Sequence, residues 1–494
     1  MKNAFLSVSN KDRLDLLAKH FFDHGVNMIA TGGTKKYIED LGLPVQSIET
    51  ITRKPEAFQG RMKSISFELA SGILYRRGDK GDEEDRKKLE IPSIDYVVVN
   101  FYPFEEKREE KLSEEQMVDY IDIGGPTMLR AAAKNFKDVT ILSNPEQYES
   151  FVKKEADSTF NVSHRKELAK EAFRLSQRYD AAIFEHFSFQ ELRYGENPQQ
   201  AAKVFYDAKV WQILHEDKAL SYNNWLDVEA AKNILIDFQK AFSEKNTVCV
   251  IKHNNPCGLA ASDKAEVSLQ QAWAGDPVSA FGSIVGFSGE CDLAAATFLK
   301  DKFIEVVLAK SFSEEAFALL KTKKNLRLLT YAPLQESQHS TRWNSLSLSQ
   351  DYDTTVDYDF QWQSKRKDAK KEKLAKFSIL CSKHLKSNAI ALCRETKEGF
   401  QMVGAGMGQP NRIDCLKRLA VPRMQDYFPG IDTKEIFLAS DAFFPFADAV
   451  EEAAKVGIEW IAQPGGSIRD EEVIAKADAS NVAMLFYKSR HFKH

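Results

Sequence analysis

No run among the 494 residues approaches the eighteen consecutive apolar positions of a membrane-spanning helix. An excess of one charge is missing as well. The chain has 68 Lys and Arg against 72 Asp and Glu, a formal charge of -4, so no global field draws it toward nucleic acid or an anionic membrane. Anionic ligands need local sites. Cysteine is scarce: Cys249, Cys257, Cys291, Cys381, Cys393 and Cys415 all lie past the midpoint, without a Cys-x-x-Cys pair. That argues against a disulfide scaffold or a zinc knuckle and leaves most of them as expected buried thiols. The C-terminal histidine pair, His491 and His494, has no third ligand nearby, so no metal is expected. The opening MKNAFLSVSNKDRL reaches a charged turn too soon for a signal peptide, which makes a cytoplasmic protein the expectation.

With 43% hydrophobic and 28% charged residues, the chain has the composition of an ordinary globular protein, long enough for two to four domains. Its first 145 residues alternate β-rich runs with helical patterns, the pattern of a parallel sheet covered by helices. AFLSVS, VNMIATGG, DYVVVNFYPF and DVTILS are the expected strands; RLDLLAKHFFDHG (closed by Gly25), TKKYIEDLG and PTMLRAAAKNF are the expected helices. Polar, helix-prone sequence follows to 188. A second α/β series starts near FQELRYGENPQQ, and a third follows a polar stretch at 334–364 and the charge run KRKDAKKEK at 365–373. The expected division is therefore 1–188, 189–365 and 366–494. No repeat of 20 to 50 residues is evident.

Ser9 and Lys11 follow the first expected strand, and Thr31, Gly32, Gly33 and Thr34 follow the second. Backbone N–H groups at helix starts, glycines and hydroxyls form a phosphate cradle in such places, with Lys11 as counter-charge. Lys63, Tyr102, Asp122 and Lys134 stand near expected strand ends, where ligands bind parallel sheets. The alanine run before Lys134 is expected to pack closely and so to aim that lysine. Farther on, IKHNNPCG directly follows the apolar strand TVCVI, so Lys252 and His253 are expected at a strand end beside a Pro-Cys-Gly turn that shapes a polar pocket. The Pro-Cys pair is only faintly similar to zinc deaminases, whose His-x-Glu and Cys-x-x-Cys ligands are absent.

In order and spacing, LSVSNK, TGGT, GRMKS, NFYPF and IDIGGPTMLRAAAKN closely resemble the cyclohydrolase domain of the bifunctional purine biosynthesis (PurH) family. LRYGENPQQ, LSYNNWLDVEAA, VIKHNNPCG, DPVSAFGSIVGF, KSNAIAL, SDAFFPFADAV, QPGGSIRDEEVI and RHFKH resemble that family's formyltransferase region. The resemblance implies a methylglyoxal-synthase-like α/β domain followed by two cytidine-deaminase-like α/β subdomains. It implies formyl transfer from 10-formyltetrahydrofolate to aminoimidazole carboxamide ribonucleotide (AICAR), then dehydrative closure of the product (FAICAR) to inosine monophosphate (IMP). In the first domain it makes Lys63, Tyr102, Asp122 and Lys134 catalytic, and lines the nucleotide site with Ser9, Lys11, Thr31 to Thr34, Arg61, Ser64 and Asn100. In the second region Lys252 and His253 are the catalytic pair, assisted by Asn388. Arg193, Tyr194, Gly282, Glu305, Arg412, Phe443, Asp448, Arg490, Phe492 and His494 would contact nucleotide or folate. A homodimer with transferase sites at its interface is also implied.

Several positions depart from the family pattern. Ile65 to Ala70 lack the usual histidine and proline, Gln199 replaces a histidine, Ala309-Lys310-Ser311 replaces Ala-Pro-Gly, and Trp343 to Gln350 lacks a glycine pair. The altered 65–70 segment leaves two other readings open: a formyltransferase with a scaffold first domain, and a nucleotide sensor without catalysis. The retained Lys63, Tyr102, Asp122, Lys134, Lys252, His253 and Asn388 weigh against the sensor.

Overall fold

Short β-rich runs joined by amphipathic helices give the N-terminal part its sheet. The computed structural model describes residues 1–110, 112–334, 338–342 and 346–494, in two units, Met1–Phe189 and Gln190–His494. The altered segment around Trp343 therefore lies partly outside the described residues. In the first unit, β1 (Asn3–Ser7), β2 (Asn27–Ala30), β3 (Gln46–Ser47), β4 (Tyr96–Val99) and β5 (Thr140–Leu142) form an all-parallel sheet of order β3-β2-β1-β4-β5. The helices that matter for the site are α1 (Leu14–Asp23), α2 (Gly32–Asp40), α3 (Phe67–Leu74), α4 (Gly124–Lys134) and α5 (Val162–Ser188). Two apolar clusters, one on each face of the sheet, account for its strands being buried on both sides. Gly25 adopts φ 65 and ends α1 as expected. The two glycines of TGGT form the first turn of α2, with Thr31 as its N-cap residue.

The second unit is built on one twelve-stranded sheet. Its first half comprises β6 (Trp211–Glu216), β7 (Asn246–Lys252), β8 (Asn255–Ser262), β9 (Ser283–Phe287), β10 (Ile304–Ala309) and β11 (Arg327–Tyr331). Its second half comprises β12 (Gln361–Trp362), β13 (Ile390–Glu395), β14 (Gly399–Gly406), β15 (Phe437–Ser440), β16 (Trp460–Gln463) and β17 (Ala483–Phe486). From the centre outward the orders are β8-β7-β9-β10-β11-β6 and β14-β13-β15-β16-β17-β12, with the same parallel and antiparallel pairings in each. The chain thus repeats one topology, at a period far longer than a 20–50-residue scan detects. The second half opens with β12, just ahead of the charge run at 365–373.

The halves fuse where β8 pairs antiparallel with β14, Ala260 opposite Gln401 and Ser262 opposite Gly399. One apolar layer runs beneath both, under α6 (Tyr222–Ala241) and α8 (Glu372–Lys383). On the opposite face each half has its own cluster. There α7 (Ala265–Gly275) lies on β8, and the helical stretch 412–427 lies on β14. Both approaches are made at glycine: a Cβ on Gly258 would fall 1.8 Å from the Ala272 carbonyl oxygen, and one on Gly406 would fall 2.1 Å from that of Cys415. Among the described residues, no helix is long and apolar enough to cross a membrane. Five of the six cysteines are buried and none forms a disulfide.

The turn expected at Pro256-Cys257-Gly258 is not one. These residues open strand β8, with an irregularity of register between Pro256 and Gly258, and the reversal falls one step earlier, at His253–Asn254. Proline is tolerated at that place because it begins the strand. Gly258→Ala should force α7 off β8 and destabilise the protein by about 1–3 kcal/mol. A thermal unfolding midpoint equal to that of the wild type would rule out so close an approach.

Candidate active sites

In the first unit the chain leaves β1 toward β2 and leaves β4 toward β5, so a crevice opens between the carboxyl ends of β1 and β4. Asn100, just past β4, ties its walls together. Its Oδ1 accepts the Ser9 and Asn10 N–H groups at 2.7 and 2.9 Å, and its Nδ2 donates to the Asn10 carbonyl at 2.8 Å. Thr34 Oγ1 accepts from Val8 N at 3.0 Å, and the hydroxyls of Ser7 and Thr31 meet at 3.0 Å. No side chain caps α2, so the N–H groups at exposed Gly32 and Gly33 face outward, as an anion cradle requires. Lys11 donates to the Ser9 carbonyl at 3.4 Å.

The start of α4 carries the rest of this site. Asp122 Oδ1 accepts the Gly125 N–H at 2.8 Å, while its own N–H donates to the Tyr179 hydroxyl at 2.8 Å. Tyr179, on α5, in turn donates to the Tyr120 carbonyl at 2.8 Å. Burial pushes the Asp122 carboxyl above its ordinary range, against the pull of the Gly125 N–H and the Lys63 ammonium. Burial also pushes Tyr179 up to about 12, opposed by the Asp122 N–H bond and aided by the nearby Asp122, Asp180 and Tyr102. Tyr102 itself is 42% exposed. Lys63 lies 3.6 Å from Glu56, and Arg61 pairs with Asp119. Buried Ser64 packs so closely on α4 that a Cβ at Gly124 would lie 2.5 Å from its hydroxyl. The altered 65–70 segment forms the beginning of α3, where Ser66 accepts the Leu69 N–H at 3.1 Å as N-cap.

Lys134 does not join this group. It is the last residue of α4, about 15 Å of helix away from Gly124. Because α4 runs back toward the amino-terminal edge of the sheet, Lys134 ends at the edge opposite the crevice, exposed. The alanines before it pack into the core as expected, but that packing does not aim the lysine at Asp122.

In the second unit, Lys252 and Asn255 face each other across a two-residue hairpin turn, His253–Asn254, with φ of 52 and 62. Lys252 Nζ donates to the carbonyls of Phe281 and Gly282 at 3.2 and 2.8 Å. Gly282 has φ 65, and a Cβ there would lie 3.3 Å from that ammonium. Glu305, on neighbouring β10, accepts from Asn224 Nδ2 at 2.8 Å. Asp227, also on α6, accepts the Asn254 N–H at 2.6 Å. Burial raises its carboxyl, opposed by that N–H and by the His253 and Lys252 charges. Arg193 lies over the Tyr194 ring at 4.7 Å, and the loop that follows is held by Asn223, which donates to the Glu196 carbonyl at 3.3 Å.

Sheet register brings the remaining residues to the same edge. Asn255 Oδ1 accepts the Lys386 N–H at 2.9 Å, two residues before Asn388, and Ile390, at the start of β13, pairs with Gly406 on one side and Ser440 on the other. Asn388 therefore shares the edge of the Lys252–His253 turn. Its Nδ2 donates to the carbonyls of Gln409 and Pro410 at 2.8 and 3.0 Å. Arg412 donates to Ser440 Oγ and buried Asp441, each at 3.1 Å, and its guanidinium lies 5.5 Å from the Phe492 ring. Phe443 and Asp448 follow β15, Asp448 as the first residue of α9 (Asp448–Lys455). The tail is ordered. Lys493 exchanges hydrogen bonds with Ser387, Lys386 Nζ reaches the His494 carbonyl at 2.6 Å, His491 bonds Asp353 at 2.6 Å, and Arg490 covers Phe492 at 4.5 Å. Among the described residues, no three His, Cys, Asp or Glu side chains are grouped to hold a metal.

Sequence reasoning missed Asp227, Asn255, Tyr179, Ser387 and Asp441. All but Tyr179 lay inside recognised motifs, LSYNNWLDVEAA, IKHNNPCG, KSNAIAL and SDAFFPFADAV, but each has a partner distant in sequence. The AICARFT/IMPCHase bienzyme family model matches residues 132–423, and an MGS-like domain model matches residues 13–127. The chain is 38% identical to the bifunctional purine biosynthesis protein PurH of Aquifex aeolicus, over 99% of this chain and all of that one. It is 40% identical to the protein of that name in Clostridium perfringens and 37% to that in Fusobacterium nucleatum, each over the full length of both chains. Matched by its family model over more than half of its length, and aligned end to end with these relatives, the chain belongs to the AICARFT/IMPCHase bienzyme family.

Proposed function

We propose that the second unit moves a formyl group from 10-formyltetrahydrofolate to the amine of AICAR, and that the first unit closes the resulting FAICAR to IMP with loss of water. The observation that carries the transferase reading is the Lys252–His253 turn on the same sheet edge as Asn388. AICAR's amine is conjugated to an imidazole and a carboxamide and is a poor nucleophile. His253 takes its proton as it attacks the formyl carbon, and Lys252, steered by two carbonyls, stabilises the tetrahedral oxyanion or protonates the leaving folate nitrogen. Asn388 orients the nucleotide through its amide. Arg193, Tyr194, Gly282, Glu305, Arg412, Phe443, Asp448, Arg490, Phe492 and His494 line the nucleotide and folate positions. Arginine forks suit phosphate and carboxylate, and Phe443 suits the pterin face.

Ring closure joins an amide nitrogen to a formyl carbon of the same molecule, so holding the nucleotide folded supplies most of the rate. The Ser9, Lys11 and Thr31–Thr34 cradle, with Arg61, Ser64 and Asn100, does the holding. Lys63 stabilises the developing oxygen charge, and Asp122 or Tyr102 removes the nitrogen proton. The ammonium of Lys63 acting on Asp122 supports that pairing. A cyclohydrolase domain at 1–188 and transferase subdomains meeting near residue 365 belong to this proposal. So does a homodimer: the transferase residues extend from β10 to β15, about 29 Å of sheet edge, and a second copy would close that edge from water. Six free thiols fit the cytoplasm.

Given AICAR and 10-formyltetrahydrofolate, the full chain should form FAICAR and IMP, measured separately. Lys252→Ala and His253→Ala should each slow transfer about 10²-fold or more and leave closure of supplied FAICAR intact. Near-normal transfer by either variant removes the pair.

Lys63→Ala should reverse that pattern, abolishing closure while transfer persists. Because burial raises the Asp122 carboxyl, closure by the wild type should fall off on the acid side at a pH above the ordinary aspartate range, and Asp122→Asn should abolish that limb. Closure of FAICAR at the buffer rate by a wild-type chain that still binds nucleotide would instead make the first domain a scaffold.

A further inference from the structure

The carbonyl of His253 and the N–H of Asn254 are the two ends of one peptide unit, and each end is held by a different side chain. Asn255 Nδ2 donates to the His253 carbonyl at 3.0 Å, while Asp227 Oδ1 accepts the Asn254 N–H at 2.6 Å. Neither partner belongs to the turn itself. Asp227 projects from α6, whose start is fixed by the Ser221–Asn224 capping box and by the bond from Asn224 to Glu305. Asn255 opens β8, and its Oδ1 accepts the Lys386 N–H at 2.9 Å, two residues before Asn388.

These bonds matter because a left-handed pair without glycine is not self-supporting. His253 and Asn254 carry side chains at φ 52 and 62, where an L-residue is disfavoured, so the peptide between them needs outside restraint to keep one orientation. The torsion angles on either side of that peptide set where the His253 Cβ points. Fixing the plane therefore fixes the direction of the imidazole, and the Asn255–Lys386 bond sets that direction relative to the Asn388 segment in the other half of the sheet.

We propose that Asp227 and Asn255 are positioning residues that clamp the His253–Asn254 peptide from both ends and so aim the His253 imidazole for formyl transfer, a proposal that rests on reading His253 as the base. Neither residue touches the reacting atoms.

The test uses the full-length chain, with the thermal unfolding profile and the nucleotide KM for transfer as controls for the fold of the second unit. Asp227→Ala and Asn255→Ala should each lower kcat for transfer about 10- to 100-fold with KM for the nucleotide within about threefold, the pattern of misplacement rather than lost binding. Asp227→Asn keeps an oxygen for the Asn254 N–H and should recover to within about fivefold of wild type. The deciding measurement is the double variant His253→Ala with Asp227→Ala. If Asp227 acts through His253, the double variant transfers no more slowly than His253→Ala alone. Wild-type kcat in both alanine variants overturns the clamp, as does an Asp227→Ala effect of undiminished size in the His253→Ala background. Normal transfer by His253→Ala is a different failure: it refutes the base itself, whatever the other variants do.

Discussion

Three residue pairs, Ala260 with Gln401, Ala261 with Phe400 and Ser262 with Gly399, join two six-stranded halves into one sheet. The transferase site depends on that antiparallel seam. Slipping it by one residue would turn the side chains of one half to the wrong face, exposing half of the apolar layer that both halves share. The same register sets the tip of the β7–β8 hairpin beside the start of β13 and the end of β14. Lys252, His253 and Asn388 thus share one sheet edge, set by the seam and by the bond from the Lys386 N–H to Asn255.

Joining two like halves antiparallel has a chemical consequence. Equivalent ends of the halves point to opposite edges, so the active edge receives a hairpin turn from the first half and loop ends from the second. The counterpart of the His253–Asn254 turn is the β13–β14 connection, at the other edge of the sheet, and it carries Thr396-Lys397-Glu398. Nothing keeps its residues like those of the His253–Asn254 turn. Each half keeps what packing needs, including the glycines that admit a helix onto β8 and β14, and the polar residues at the tips are free to differ. This explains why topology repeats where sequence does not.

What was legible in the sequence follows the same division. Interior strands buried on both faces announce themselves as apolar runs, and YVVV at 96–99 and SIVGF at 283–287 were readable for that reason. Motif order located the Lys252–His253 pair and the Asn100 to Asp122 segment. Three things were not legible. NNPCG looks like a turn because it contains Asn, Pro and Gly, yet pairing with β7 draws it into a strand and shifts the reversal onto His253. Lys134 looked aimed because small residues precede it, yet helix direction alone carries it to the far edge. Asp227 is separated from Asn254 by 27 positions, and only the packing of α6 over the sheet joins them.

The two reactions ask different things of their surroundings, and the two units to which they are proposed to belong differ accordingly. Closure within one molecule needs shape first, and a parallel sheet supplies it cheaply: a crevice at the switch point, N–H groups at a helix start, and one asparagine to hold the walls. Transfer between two molecules needs a base and an oxyanion donor that are correctly placed before either substrate arrives. A strand carries Lys252 rigidly, with two backbone carbonyls to steer its ammonium. A base on the adjoining two-residue turn, the role proposed for His253, gains reach beyond the sheet edge but takes on a backbone geometry that must be held from outside. The side chains that hold it come from a helix and from the next strand, which is why a site of this kind needs the large continuous sheet that the first unit does without.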